Sequence, residues 1–390
     1  MTHHPTVNLI RAQMPPTSRE RSTGKAIGLF LSGAAIYVAA LGGIVLVEAW
    51  LLRGLLSGVA AFATAVLFVI GHDACHGAFT DHRWLNALLG RLAFLPSWHP
   101  FVGWEHAHNR VHHAWTNLRG KDYAWAPLSK SDYDRLSRWG RLRERFYRSL
   151  FGFGCYYFYE VYCKKTLWPS AAFRGKTSLR VLAADDALVL AFVATQTICL
   201  ALVGKWLRPT DSVISLLLFA QWLPFVAFNW LIGFLIFLHH THPTIAWFDD
   251  ADEWTFYLGQ IRGTAHVTFP GPLNWLIANI MEHTAHHADP RVPLYRLAAA
   301  QAALERVFPQ DVVLHKFTWR SFRYTLRTCQ LYDYRNHCWL SFAGTPTTSR
   351  TIPAVDPPET SDTPDSPIAT TANRPIEPVG ATTAACLPAE

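Results

Sequence analysis

Two long apolar stretches that run straight into histidines constrain this chain more than any other feature. Gly54 to Gly71 is apolar and opens into "GHDACHGAF" (71–79), and Val213 to Leu238 is apolar and opens into "FLHHTHP" (237–243). Each has an apolar partner just before it. Ala26 to Val47 precedes the first across a break at 48–53, and 186–204 precedes the second across the polar turn "KWLRPTD". Segments of this length can cross about 30 Å of hydrocarbon, so the pattern predicts four spans in two hairpins, at about 26–47, 54–71, 186–204 and 213–238. An even number of spans before each histidine cluster returns the chain to the side on which it began. Arginine-rich segments around 11–25 and 119–180 mark that side as cytoplasmic by the positive-inside rule.

Composition agrees with this reading. Half of the 390 residues are hydrophobic and only 16% are charged, which is too apolar for an ordinary soluble domain. Sixteen Trp suit membrane interfaces, and nineteen His are far more than packing needs. The net charge of +7 sits in loops flanking apolar runs, as membrane topology requires, and nucleic-acid binding is excluded on that distribution. Seven scattered cysteines with no CxxC pair read as structural thiols on a reducing face. "WLNALLGRLAFLPSWHPFVGW" (84–104), broken by Pro96 and Pro100, reads as an interfacial helix, and 141–170 as a second surface helix. The expected organisation is a polar N-terminal segment (1–25), a helical membrane domain (26–343) and a disordered Thr/Pro/Ser-rich tail (344–390).

The histidines fall into three clusters. His72-x-x-x-His76 has the i, i+4 spacing that stacks two imidazoles on one helix face. "WEHAHNRVHHAWTN" (104–117) repeats that spacing with His108 and His112, and helical geometry turns His113 about 100° away, toward a second ion. "NIMEHTAHHADP" (279–290) puts His283, His286 and His287 on one face. Eight histidines exceed the three or four ligands of one zinc site and suit two ions; imidazole-rich sites with open positions fit iron. Asp73, Glu105, Asp122 and Glu282 are candidates to hydrogen-bond the ligand N–H groups. His3, His4, His82, His99, His266, His315 and His337 are isolated and read as surface or core residues.

In order, spacing and topology, these boxes resemble those of the membrane-bound fatty acid desaturases, over roughly residues 30–310. "HNRVHHAWTN" is similar to the second box of many bacterial members, and "FLHHTHPTIAWF" to the "QHTHP" segment of the delta-12 (omega-6) acyl desaturase branch, with His239 replacing Gln. The chain departs from the family in Cys75, where the first box often has Gly, and in the third box, led by Glu282 and followed by "ADPRVPLY". The resemblance implies an all-α membrane protein of four spans with a cytoplasmic cap holding two irons. It carries the ligand roles to His72, His76, His108, His112, His113, His283, His286 and His287, with a ninth from His240 or His242. No catalytic residue beyond the ligands is implied.

The implied reaction uses dioxygen and two external electrons to introduce a cis double bond, at the delta-12 position, into a lipid-linked or thioester-linked acyl chain in a bacterial inner membrane. "GCYYFYEVYC" (154–163) and "LPFVAFNWLIGF" (223–234) are candidates to line the acyl tunnel, and "WHPFVGWEH" (98–106) to meet the headgroup. With no dinucleotide-binding fingerprint, CxxC cluster or HPGG haem signature in the sequence, the electrons are expected from a ferredoxin or cytochrome b5-type partner. A diiron hydroxylase or ketolase acting on an alkane, carotenoid or sphingoid lipid would use similar boxes. A non-catalytic metal-binding membrane protein would place ionisable groups inside its spans, which here are nearly free of them.

Overall fold

The computed structural model describes residues 4–352. Four helices are long and apolar enough to cross a membrane: Thr23–Leu46, Trp50–Cys75, Leu179–Leu207 and Val213–His240. At 1.5 Å per residue they measure roughly 36 to 44 Å, longer than the hydrocarbon core, so their ends reach past it. The four are not equivalent. The most apolar windows of the second and fourth are 61% buried within the protein, against 28% and 22% for the first and third. The two inner helices are the ones that end in histidines. The outer two shield them and leave Leu31, Leu190 and Leu202 facing outward.

Close approach around the inner pair needs glycine at two places. A Cβ on Gly71 would lie 2.4 Å from the Phe94 ring, and one on Gly233 would lie 2.4 Å from the Phe153 carbonyl oxygen. The first contact seats the helix Arg83–Phe94 against the second span, and the second seats the short helix Phe153–Tyr156 against the fourth. Arg83–Phe94 exposes Trp84, Leu88 and Leu92 while burying Leu89, Ala93 and Phe94, the two-faced pattern of an interfacial helix. The 3-10 turn Leu95–Ser97, left-handed Trp98 and Pro100 then redirect the chain into Phe101–Glu105. Of the second surface stretch, Arg138–Tyr147 keeps Trp139, Leu142 and Phe146 exposed, and Phe153–Tyr156 runs on as a π-helix, Tyr157–Leu167.

Most of the other described residues make a cap over the histidine ends. It combines short helices and loops with two strand pairs among the described residues: Ala265–Thr268 parallel to Val313–Lys316, and Leu331–Asp333 antiparallel to Cys338–Leu340. Trp125, Trp247, Tyr332 and Trp339 fill its core, and Trp339 Nε1 donates to the Ile245 carbonyl. The stretch 344–352, expected from composition to be disordered, is tied to this cap: Thr347 N–H donates to Trp339 O and Thr351 N–H to His337 O. Tyr332 and Trp339 offer it a buried surface that composition alone does not reveal. Residues 353–390 of the expected tail lie outside the described residues.

Far from the histidines, the loops of the two hairpins are knotted by charge. Arg53, largely buried at the start of the second span, pairs with Asp211 and donates to the Val47 carbonyl. Arg208 pairs with both Asp211 and Glu48. These charges sit where each hairpin turns, so they join the hairpins without entering the apolar layer.

Candidate metal centre

Nine imidazoles converge at the cap end of the inner helices in two groups. His72, His76, His108, His113 and His286 form one; His112, His240, His283 and His287 form the other, with the ligand atoms of each within 4.8 Å of one another. Every sequence-predicted box histidine is in one of them. His240 joins the second group. His242 does not: its Nδ1 contacts the Thr244 hydroxyl and its ring lies 5.3 Å from His315.

The division differs from what α-helical spacing predicts. His108 and His113, five apart, share a group, while His112 faces the other. The cause is local: His106–His112 is π-helical, and the His113 N–H donates to the His108 carbonyl in an i to i+5 bond. That wider turn aligns residues five apart, and such turns concentrate at functional sites. The third box also splits. In the helix His283–Ala288 the i, i+4 pair His283 and His287 stays together, and His286 crosses to the first group.

Polar neighbours orient the rings. His112 Nδ1 meets Asp122 Oδ1 at 2.8 Å, and the same carboxylate accepts from the Asn117 and Ala124 backbone N–H groups. Asn117 is left-handed at φ 63, which turns the chain out of the box, and its side-chain amide donates to the Ala246 and Gly263 carbonyls. His287 Nδ1 meets Gln260 Oε1 at 2.7 Å, and the Gln260 amide donates to the His113 carbonyl. Gln260 had no sequence signal, because it lies in an isolated π-helical turn, Tyr257–Ile261. Of the four carboxylates considered from sequence, only Asp122 touches a box histidine ring. Asp73 accepts from the Leu294 N–H, and Glu282 is buried with one oxygen unpartnered. Glu105 has no hydrogen bond to any box histidine among the described residues.

Burial, and then the neighbouring imidazoles, hold His108, His113, His283, His286 and His287 well below the ordinary imidazole pKa. They are neutral, the form that ligates metal. Yet their Nε2 atoms face one another: 2.7 Å for His72 and His108, 2.9 Å for His108 and His113, and 3.0 Å for His113 and His286. His240 and His283 repeat this at 3.0 Å, and the buried Nε2 atoms of His76 and His287 have no hydrogen-bond partner. Neutral imidazoles converging through the same nitrogen, with orphaned acceptors among them, fit a cation at each focus.

A narrow apolar cavity opens onto both groups. His72, His108, His112, His240 and His283 form one end, and Phe68, Val69, Trp104, Ile232 and Ile236 form its walls. From the two stretches expected to line a tunnel, only Val161 and Ile232 do so; Tyr157 and Phe225 pack on His99 and Trp98 instead. Nor does 98–106 present a headgroup surface throughout. Trp98, Phe101 and Trp104 are buried, and Trp104 stacks on His108. His239 also lines the cavity, stacked on His283 with its Nε2 3.2 Å from Met281 Sδ. Among the isolated histidines, His99, His266 and His337 are buried against Tyr157, Glu305 and Glu253, and none joins either group.

A four-helix membrane bundle whose inner helices and cap together bring two histidine groups to an apolar cavity defines an integral membrane protein built to act on an apolar chain at a metal site. The sequence profile described as fatty acid desaturase matches residues 48–319, and the chain belongs to that family. It is 30% identical to an sn-1 oleoyl-lipid 12-desaturase of Picosynechococcus sp., over 71% of this chain and 75% of that protein. It is 29% identical to a chloroplastic omega-6 fatty acid desaturase of Glycine max, over 80% and 67%. An omega-3 fatty acid desaturase of Caenorhabditis elegans is 27% identical over 78% and 73%.

Proposed function

We propose that this protein is an acyl-lipid desaturase that introduces a cis double bond at the delta-12 position of a monounsaturated acyl chain. The observation that carries the reading is the pairing of two convergent imidazole groups with one apolar cavity. The names of the Picosynechococcus and Glycine relatives support the position of the bond. The five-histidine and four-histidine groups would each hold one iron. The chemistry supplied by two bound irons is the activation of dioxygen, which removal of hydrogen from an unactivated methylene pair demands.

The chain's own residues do the rest. Phe68, Val69 and Ile232 hold the acyl chain beside the histidines and exclude water from the reacting methylenes. Asp122 and Gln260 fix the rings of His112 and His287 through Nδ1, leaving each Nε2 for metal. Two electrons come from a ferredoxin or cytochrome b5-type carrier attracted by the net positive charge; activity insensitive to ionic strength would count against that docking. The histidine end faces the cytoplasm of a bacterial inner membrane, as the arginine-rich loops on that side support.

The test is the fatty-acid profile of a monounsaturated-lipid host expressing the chain or its His112→Ala variant, read by gas chromatography with mass spectrometry. A diene unsaturated at carbon 12 is expected only with the intact protein. A hydroxylated or ketonic product would replace desaturation by oxygenation, and a diene at another carbon would overturn the regiochemistry alone.

A further inference from the structure

The residues ahead of the first span make a set of contacts that membrane anchoring does not require. The third-box helix His283–Ala288 is only six residues long, and its terminal carbonyls need donors from elsewhere. One comes from 277 residues away: Arg11 Nε donates to the Ala288 carbonyl at 2.9 Å. The next residue, Asp289, has a side chain with no solvent exposure. Its carboxylate accepts from Arg19 Nε at 2.6 Å and from Arg291 Nε and Nη2 at 2.8 and 3.0 Å. A negative charge at a helix C-terminus opposes the helix dipole, and these guanidinium groups offset it. The same segment continues along the loop, with Glu20 paired to Arg296 and the Ser22 N–H donating to the Tyr295 hydroxyl. Residues 6–22 lie outside the stretch matched by the family profile.

We propose that residues 6–22 are a clamp in which Arg11 and Arg19 are positioning residues for His283, His286 and His287. The third box supplies ligands to both groups, so its orientation sets both at once. A six-residue helix has too little internal hydrogen bonding to hold three rings in place alone. The arginines fix its C-terminal end while Leu294 N–H, bonded to Asp73, ties the following loop to the first box.

This inference rests on the metal-centre reading above, and the experiment separates the two. The full-length protein, loaded with iron in lipid nanodiscs, is challenged with a chelator, and the metal remaining is measured over time. The Arg11→Gln, Arg19→Gln double variant is expected to lose iron about tenfold faster than the parent, the scale on which outer partners act at metal sites. Arg19→Lys, which keeps a cation for Asp289, should recover most of the difference. Arg296→Gln breaks the Glu20 contact of the same segment without touching residues 288 or 289, and should match the parent. Amide exchange over 283–292 should accelerate in the double variant and stay unchanged over 60–70. If the double variant fails to fold, Arg11→Gln alone, which removes a single bond, should show an intermediate release rate. Parental release and exchange rates in a folded variant would overturn the clamp. A parent protein that retains no iron would overturn the metal reading, and faster exchange at 283–292 would still establish the clamp.

Discussion

The two ends of the helical bundle solve the problem of polar groups beside a membrane in opposite ways. At the hairpin turns, Arg53, Arg208, Asp211 and Glu48 neutralise one another in a compact knot in which each charge has an oppositely charged partner. At the cap, nine converging imidazoles, seven of them buried, have almost no charge partners, and the nitrogens of six crowd against each other at 2.7 to 3.0 Å. The first end is satisfied by its own residues. The second is complete only with something added, and this unsatisfied state is the mark of a site rather than a joint.

The largest contrast is expected from removing a converging imidazole. His76→Ala or His287→Ala leaves one focus short of a ligand and should abolish turnover and lower iron content, while the protein still inserts and folds. His242→Ala, on the same segment as His240 but outside both groups, should leave turnover within about twofold of the parent, because neither focus loses a ligand. Iron per protein and diene formation measured on the three variants check this. Should His242→Ala prove as damaging as His287→Ala, the assignment of His240 over His242 falls.

Next in size are the groups behind the rings. Asp122→Ala removes the acceptor of His112 Nδ1 and of two backbone N–H groups, and Gln260→Ala leaves His287 Nδ1 only its longer, 3.3 Å contact with the Thr116 hydroxyl. Each should weaken iron retention about 10- to 100-fold, the usual range for such partners. Competition with a graded chelator measures it. Narrowing the cavity with Ile232→Phe should cost about 1 to 3 kcal/mol of stability through overpacking. Its distinguishing effect is on substrate: turnover of long chains should fall more than that of shorter ones, read by feeding acyl chains of different length.

Much of the bundle was legible because its signals are periodic and local. Two apolar runs ending in histidine, each with an apolar partner just before it, located the four spans, and repeated boxes located eight of the nine converging rings. What sequence could not give was the sorting of rings between the groups, since it assumes 3.6 residues per turn and the second box is π-helical. Gln260 stayed hidden for a related reason: a lone glutamine has no pattern, and only tertiary folding brings it to His287. The choice of His240 over His242 was equally invisible. It is fixed where the fourth span stops at His240 and Thr241 turns to an extended conformation, sending His242 the other way.

Acidification should distinguish the two ends by the smallest but most diagnostic effect. In metal-free protein His108, His113, His283, His286 and His287 have folded-state pKa values well below their unfolded value of about 6.5. The unfolded chain therefore binds protons first as pH falls below 6.5, so this end loses stability progressively from that point downward. Asp211 behaves differently. Hydrogen bonds from Arg208 and Arg53 hold its pKa down to about 2, below the ordinary carboxylate value. Its contribution is therefore fully present above about pH 4 and is lost only as pH falls toward 2. Between pH 6.5 and 4, amide protection factors should fall over 106–113 and 283–288 while the turns at 47–53 and 208–212 keep their protection. Iron binding should suppress the fall, because a bound cation competes with the proton for the same nitrogen. Equal loss of protection at both ends over that interval would mean that the bundle unfolds as one unit and that the cap has no separate acid sensitivity.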